Sequence, residues 1–336
     1  MDFLKLMGGS FLMVALVFTN LAQAEIPSDA HNFYVSSKLQ HKNIAFKNAY
    51  GMELSGTLFM PKKMQGGKKY PAIIVGHPFG AVRQQAANLY AQKMAEAGFI
   101  TLTFDQSFWG ESAGEPRGAV LPDVYVENFS AALDYLITLP FIDANDIGVL
   151  GICASGGFAL AAAKIDPRIK AIATSSMYDM GAFFRTGLKG DRNKNILKKD
   201  LLRAAQTRTQ AIKEGKPVYG PGQNDAIFLE AKESNAFYKT KRGEVASNNR
   251  RTTPATYAKF LNFYPFKDLD LISPRPILFV VGEIAPSRSF TESAYKQASQ
   301  PKELVVVKGA NRTDLYDRTS MIPWNQFIQF FHKNLK

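Results

Sequence analysis

Apolar residues fall into short, nearly continuous runs separated by stretches of helical period. The runs are Ala72–Gly76, Ile100–Phe104, Ile147–Ile152, Ile169–Thr174, Ile277–Val281 and Leu304–Val307. Between most of them lie amphipathic patterns such as Gln84–Ala97, Val124–Leu139 and Gly157–Lys164, and a further one, Trp324–Leu335, closes the chain. Uninterrupted apolar strands alternating with helices predict a mostly parallel sheet covered on both faces. Met52–Phe59 alternates apolar with polar and reads as an earlier, antiparallel strand. From about 178 to 273 no strand pattern is evident. This helix-like stretch, punctuated by Gly220-Pro221-Gly222, reads as a cap inserted over the strand ends, where such sheets bind ligands.

The N-terminus has another character. Lys5 precedes an apolar run through Phe18, and Ala22-Gln23-Ala24 has the small-x-small form of a signal-peptidase site. The expectation is export to the periplasm or medium, with cleavage after Ala24 and a domain over 25–336. An uncleaved membrane anchor is the alternative, although the run is short and broken by Gly8 and Gly9.

Composition narrows the classes. The chain has 336 residues, 46% of them hydrophobic, enough for a sizeable core and too apolar for a disordered chain. Its single cysteine excludes an internal disulfide framework and a zinc ribbon. No internal repeat is present. The 41 Lys+Arg against 29 Asp+Glu leave a net charge of +12. Ten of the basic residues fall between Arg185 and Lys216 against three acids. Such a helix attracts an anionic substrate or an anionic surface, or is a solvated face. No nucleic-acid motif accompanies it, and no cofactor or metal is expected. The aromatics Phe183, Phe184, Phe228, Phe237, Tyr238, Phe260, Phe263 and Tyr264 form either the lining of an apolar pocket or the core of the cap.

Three segments carry candidate chemistry. In Gly151-Ile152-Cys153-Ala154-Ser155-Gly156-Gly157 a strand runs into an Ala-rich helix. A nucleophile on so tight a turn needs small residues two positions before and after it, and Gly151 and Ser155 bracket Cys153 in this way. A turn centred on Ser155, between Cys153 and Gly157, is the alternative and requires a longer strand. A thiol at a helix N-terminus is favoured as thiolate. The second segment, Gly76-His77-Pro78-Phe79-Gly80, follows a strand where a hydrolase supplies an oxyanion-hole amide. Pro78 has no N–H, so the expected donors are the amides of Phe79 and Ala154. The third, Gly110-Glu111-Ser112-Ala113-Gly114, satisfies G-x-S-x-G literally, but Pro116 forbids the helix that must follow, so Ser112 reads as a loop residue.

Taken together, these segments resemble the dienelactone hydrolase-like group of α/β hydrolases. The likeness rests on His77-Pro78-x-Gly80, Phe104-Asp105-x-Ser107 with Gly110-Glu111-Ser112, the turn Gly151–Gly157, Met177-Tyr178-Asp179, Ile272-Ser273-Pro274-Arg275-Pro276 and Asp314-Leu315-Tyr316-Asp317. It implies an α/β-hydrolase fold with a Cys153 nucleophile, an acid after Ile277–Val281 and a histidine after Leu304–Val307. The sequence departs from that pattern. The base position is Arg312, and the only histidines are His31, His41, His77 and His332. After Val281 the only acid at hand is Glu283. Arginine does not shuttle protons near neutral pH, so His77 and Glu283 are the candidate substitute bases. His332, in the C-terminal helix, reads as a surface residue. Three functions follow: an exported hydrolase of small-molecule esters or thioesters through Cys153, a hydrolase-fold protein that binds a ligand without turnover, and a redox-responsive thiol protein.

Overall fold

The computed structural model describes residues 26–188, 190–220, 231–246, 248 and 251–336. The signal-peptide expectation for 1–24, Lys189, the Pro221-Gly222 break and Phe228 lie outside them. One eight-stranded sheet runs in the order β1-β2-β4-β3-β5-β6-β7-β8. Its strands are β1 (Leu39–Lys47), β2 (Glu53–Pro61), β3 (Tyr70–Gly76), β4 (Ile100–Phe104), β5 (Ile142–Ile152), β6 (Ile169–Ser175), β7 (Ile277–Gly282) and β8 (Lys302–Val307). β2 is antiparallel to β1 and β4, and every later pairing is parallel. The apolar runs therefore become the parallel strands, and the alternating segment becomes β2. β1 is the strand the pattern does not announce. Only Leu39, Ile44 and Phe46 of its nine residues are buried, as suits an edge strand.

The strand order reverses at β3. Right-handed crossovers then place α1 (Ala87–Glu96) on one face, and α2 (Pro122–Ile137), α3 (Ala154–Ile165) and α8 (Arg288–Gln297) on the other. α10 (Trp324–Asn334) joins α1, with the Tyr90 ring edge-on to Trp324 and Phe327. On the other face Tyr125 of α2 meets Phe158 of α3. His332 is exposed on α10, its ring 4.6 Å from that of Phe99. Between β6 and β7 the chain forms α4 (Met180–Thr186), α5 (Lys194–Glu214), α6 (Ala231–Tyr238) and α7 (Pro254–Tyr257), with no strand among the described residues. α9 (Asp314–Asp317) follows β8.

The helices between β6 and β7 are seated by aromatics. Phe260 packs on Phe79, Phe158 and Tyr257, and Phe263 on Phe158. Tyr264 is exposed, and the other described aromatics named above are buried. These rings form the core that joins this layer to the sheet. Part of the basic run is structural as well. Arg185 donates to the carbonyls of Leu261 (3.0 Å) and Phe263 (2.8 Å), and Arg192 pairs with Asp200. The basic residues of α5 itself face solvent, and Ala204 alone in that helix is buried.

Candidate active site

The site is built on the segments that follow the C-terminal ends of β3, β5, β6 and β8, with β3 and β5 at the point where the strand order reverses. His77 follows β3, Cys153 follows β5, Tyr178 follows β6 and Arg312 follows β8. Cys153 stands between strand and helix with φ +56° and ψ −122°. A residue with a side chain rarely adopts this region, and the neighbours hold it there. Its N–H donates to the Ser175 carbonyl (2.9 Å), and its carbonyl accepts from Gly156 and Tyr178 (both 3.0 Å). A Cβ at Gly151 would lie 2.3 Å from the Ser155 carbonyl oxygen, and one at Gly156 would lie 2.4 Å from Met177 Cβ. The turn is thus centred on Cys153. Ser155 is already the second residue of α3, fully buried, and its hydroxyl donates to the His77 carbonyl (2.5 Å).

The thiol faces the loop after β8. Arg312, 3% exposed, lies in electrostatic contact with Cys153. Its Nη1 is 3.5 Å from the Tyr316 hydroxyl, and its Nε is 3.5 Å from Glu233 Oε1. The rings of Tyr178 and Tyr316 stand 5.5 and 5.8 Å from Cζ. Neither Nε nor Nη2 makes a hydrogen bond among the described residues. Burial opposes the charge, but Tyr316, Tyr178, Glu233 and Cys153 outweigh it, and Arg312 stays protonated. Tyr316 interacts electrostatically with Cys153, and burial pushes its phenol well above its ordinary value against the pull of Arg312. The phenol is therefore an O–H near neutral pH.

The two candidate bases lie elsewhere. His77 is fully buried, with Nδ1 2.8 Å from the Pro78 carbonyl and Nε2 accepting from the Gln106 N–H (3.2 Å). Both ring nitrogens are engaged, and burial lowers its pKa, so the ring is neutral. Glu283 is exposed after β7 and accepts from the Gly309 N–H (2.9 Å). It is not among the groups acting on Arg312 or Tyr316. Ser112 is a loop residue whose hydroxyl donates to the Asp105 carbonyl (2.6 Å) and accepts from the Ser55 N–H (2.9 Å). Ala154 opens α3, so its N–H has no partner within the helix. Phe79 packs its ring against Trp109 and Phe260.

Two residues of the cluster go unannounced by sequence reasoning as functional residues. Tyr316 lies on α9, four residues after Arg312 and inside the motif Asp314-Leu315-Tyr316-Asp317, and this signal was available. Glu233 comes from α6, where no motif marks it. It accepts from the Thr313 N–H (2.6 Å) as well as facing Arg312.

A mostly parallel eight-stranded sheet with this strand–turn–helix defines an α/β hydrolase. The chain belongs to the family described as X-Pro dipeptidyl-peptidase (S15 family), whose model matches residues 50–254. It is 41% identical over 309 residues to the uncharacterized protein PA2218 of Pseudomonas aeruginosa, covering 90% of this chain and 83% of that one. The crystal structure of PA2218 superposes with a TM-score of 0.87 over 93% of this chain and 99% of that chain. A fungal relative, the thiohydrolase aneE of Aspergillus aculeatus, is 29% identical over 72% of this chain and 76% of its own length. A dienelactone hydrolase of Anabaena variabilis shares the fold at a TM-score of 0.51 and 14% identity, covering 89% of this chain and all of that one. The resemblance read from the motifs thus holds at the level of the superfamily.

Proposed function

We propose that this hydrolase cleaves thioesters and activated esters of small molecules by attack of Cys153, with Arg312 neutralising the thiolate. The observation that carries the reading is Cys153 itself, held at positive φ on the strand–helix turn and facing a buried guanidinium. The amides of Phe79 and Ala154 are the donors for the developing oxyanion, and an oxyanion-hole donor is worth about 10²–10³-fold in rate. The similar fungal protein named a thiohydrolase supports a thioester as the bond cleaved. Thioesters and aryl esters expel weakly basic leaving groups, so acylation of Cys153 proceeds without a strong general acid. Hydrolysis of the acyl-enzyme needs a proton acceptor for water, a service worth about 10²–10⁴-fold. His77 and Glu283 are poorly placed for it, so we read His77 as a structural residue and expect a burst followed by slow turnover. Residues 1–24 direct export in this reading, and the exposed basic residues of α5 draw anionic substrates or an anionic surface toward the protein.

Burst and steady-state kinetics on a short-chain aryl thioester test this, comparing the protein from residue 25 onward with Cys153→Ala and Arg312→His. A burst lost in Cys153→Ala, with faster turnover in Arg312→His, is expected. Turnover that survives Cys153→Ala overturns the thiol mechanism.

A further inference from the structure

We propose that Tyr316 is the acid–base residue of this site, passing the proton that a histidine would otherwise carry, with Arg312 stabilising its anion. The proposal rests on the reading of Cys153 as nucleophile and extends it to substrates with strongly basic leaving groups. Tyr316 is fully buried, its hydroxyl lies 3.5 Å from Arg312 Nη1, and it interacts electrostatically with Cys153. It therefore stands between the loop that carries Arg312 and the turn that carries Cys153, and acts on the charges of both. The ring is clamped edge-on by Phe237 (5.3 Å) and Tyr238 (6.3 Å), so the hydroxyl is held in place by packing. The adjacent Leu315 carbonyl accepts from the Tyr90 hydroxyl (2.6 Å), which fixes the backbone of the same turn.

The protons balance. The Cys153 thiolate attacks the carbonyl carbon of R–CO–XR′, and the tetrahedral oxyanion collapses with cleavage of the C–X bond. Tyr316 gives its phenolic proton to X, releasing HXR′, and the tyrosinate formed is neutralised by Arg312. A water molecule then gives a proton to the tyrosinate while its oxygen bonds to the acyl carbon. Collapse of that second intermediate breaks the C–S bond, releases RCOOH and restores both the thiolate and the phenol. Arg312 holds its charge throughout and transfers nothing. A buried phenol is a weak acid, so its help is felt where X leaves as a strong base and vanishes where X leaves as a stable anion.

The test is the leaving-group dependence of Cys153 acylation, read by intact-protein mass and product release, in Tyr316→Phe. Phenylalanine keeps the ring packing, and circular dichroism verifies the fold. With an ethyl ester, acylation should fall about 10²–10³-fold, as loss of a general acid predicts. With a p-nitrophenyl thioester it should change less than about threefold, and only the hydrolysis of the acyl-enzyme should slow. Tyr316→3,5-difluorotyrosine keeps ring and hydroxyl with a stronger acid and a weaker base. It should retain ethyl-ester acylation and lose rate in hydrolysis, and it serves if the phenylalanine variant does not fold. An equal loss across all leaving groups would mean that Tyr316 only positions the thiol, and no loss would remove it from the reaction; either overturns the proposal. If the unaltered protein is not acylated at Cys153 at all, the nucleophile reading fails as well, a result distinct from these.

Discussion

Removing Arg242 isolates the energetics of the tie between the α6 segment and the loop after β8. Its Nε donates to both oxygens of Asp317 (3.0 and 2.9 Å), and its Nη2 donates to Asp317 Oδ1 (2.6 Å) and the Thr313 carbonyl (2.9 Å). The side chains are 6% and 0% exposed. Breaking such a pair by removing one partner costs about 3–5 kcal/mol, because the other charge stays buried alone. Asp317 already carries a burial penalty that Arg242 does not fully offset, and its pKa is pushed up from 3.8 to about 6. Asp314 and Asp29 add to that rise. The native state thus holds a proton that the unfolded chain releases, so stability falls as pH rises from about 4 through 6, by on the order of 3 kcal/mol. In Arg242→Met the carboxyl stays protonated to a higher pH, and the decline continues further. Urea unfolding at pH 5, 6.5 and 8 should show a deficit against the unaltered protein that is small at pH 5 and full at pH 8. A deficit that is constant, or larger at pH 5, refutes the reasoning.

Other substitutions follow from single contacts. Gly151→Ala forces a methyl group to within 2.3 Å of a backbone oxygen on α3, and should abolish thiol labelling of Cys153 or soluble expression. His77→Phe leaves the buried Gln106 N–H without its acceptor; a loss of about 1–3 kcal/mol in chemical denaturation is expected, with no change in the pH dependence of acylation. Glu283→Gln removes an exposed charge bonded to the Gly309 N–H, and Cys153 acylation should stay within about twofold of the original, since surface changes of this kind are worth about 0.5 kcal/mol or less.

The strands were legible because a parallel sheet buried on both faces leaves little choice of residue. Ile100–Phe104 coincides with β4, and the others differ by a few residues at their ends. β1 was not legible because its polar positions face water at the sheet edge. The turn at Cys153 was readable from the small residues around it, of which Gly151 has a Cβ clearance the fold makes strict. The loop after β8 was legible as a place for chemistry, but not the residues that surround Arg312 there. The charge that faces Arg312 arrives instead from α6 through Glu233. Charge counting likewise does not separate Arg185 and Arg192, spent on carbonyls and an internal pair, from the basic residues that face solvent.

The bond from the Ser155 hydroxyl to the His77 carbonyl has a wider meaning. β3 and β5 are neighbours in register, with Gly76 opposite Gly151. Just past those two glycines one hydroxyl fastens the segment that leads to Phe79 onto the first turn of α3. The spacing between Cys153 and the amide that follows β3 is therefore an extension of sheet registry, and loop conformation has little say in it. Mutations that tune this protein toward other substrates should accumulate in the layer above, while the distance across these two strand ends stays a fixed gauge.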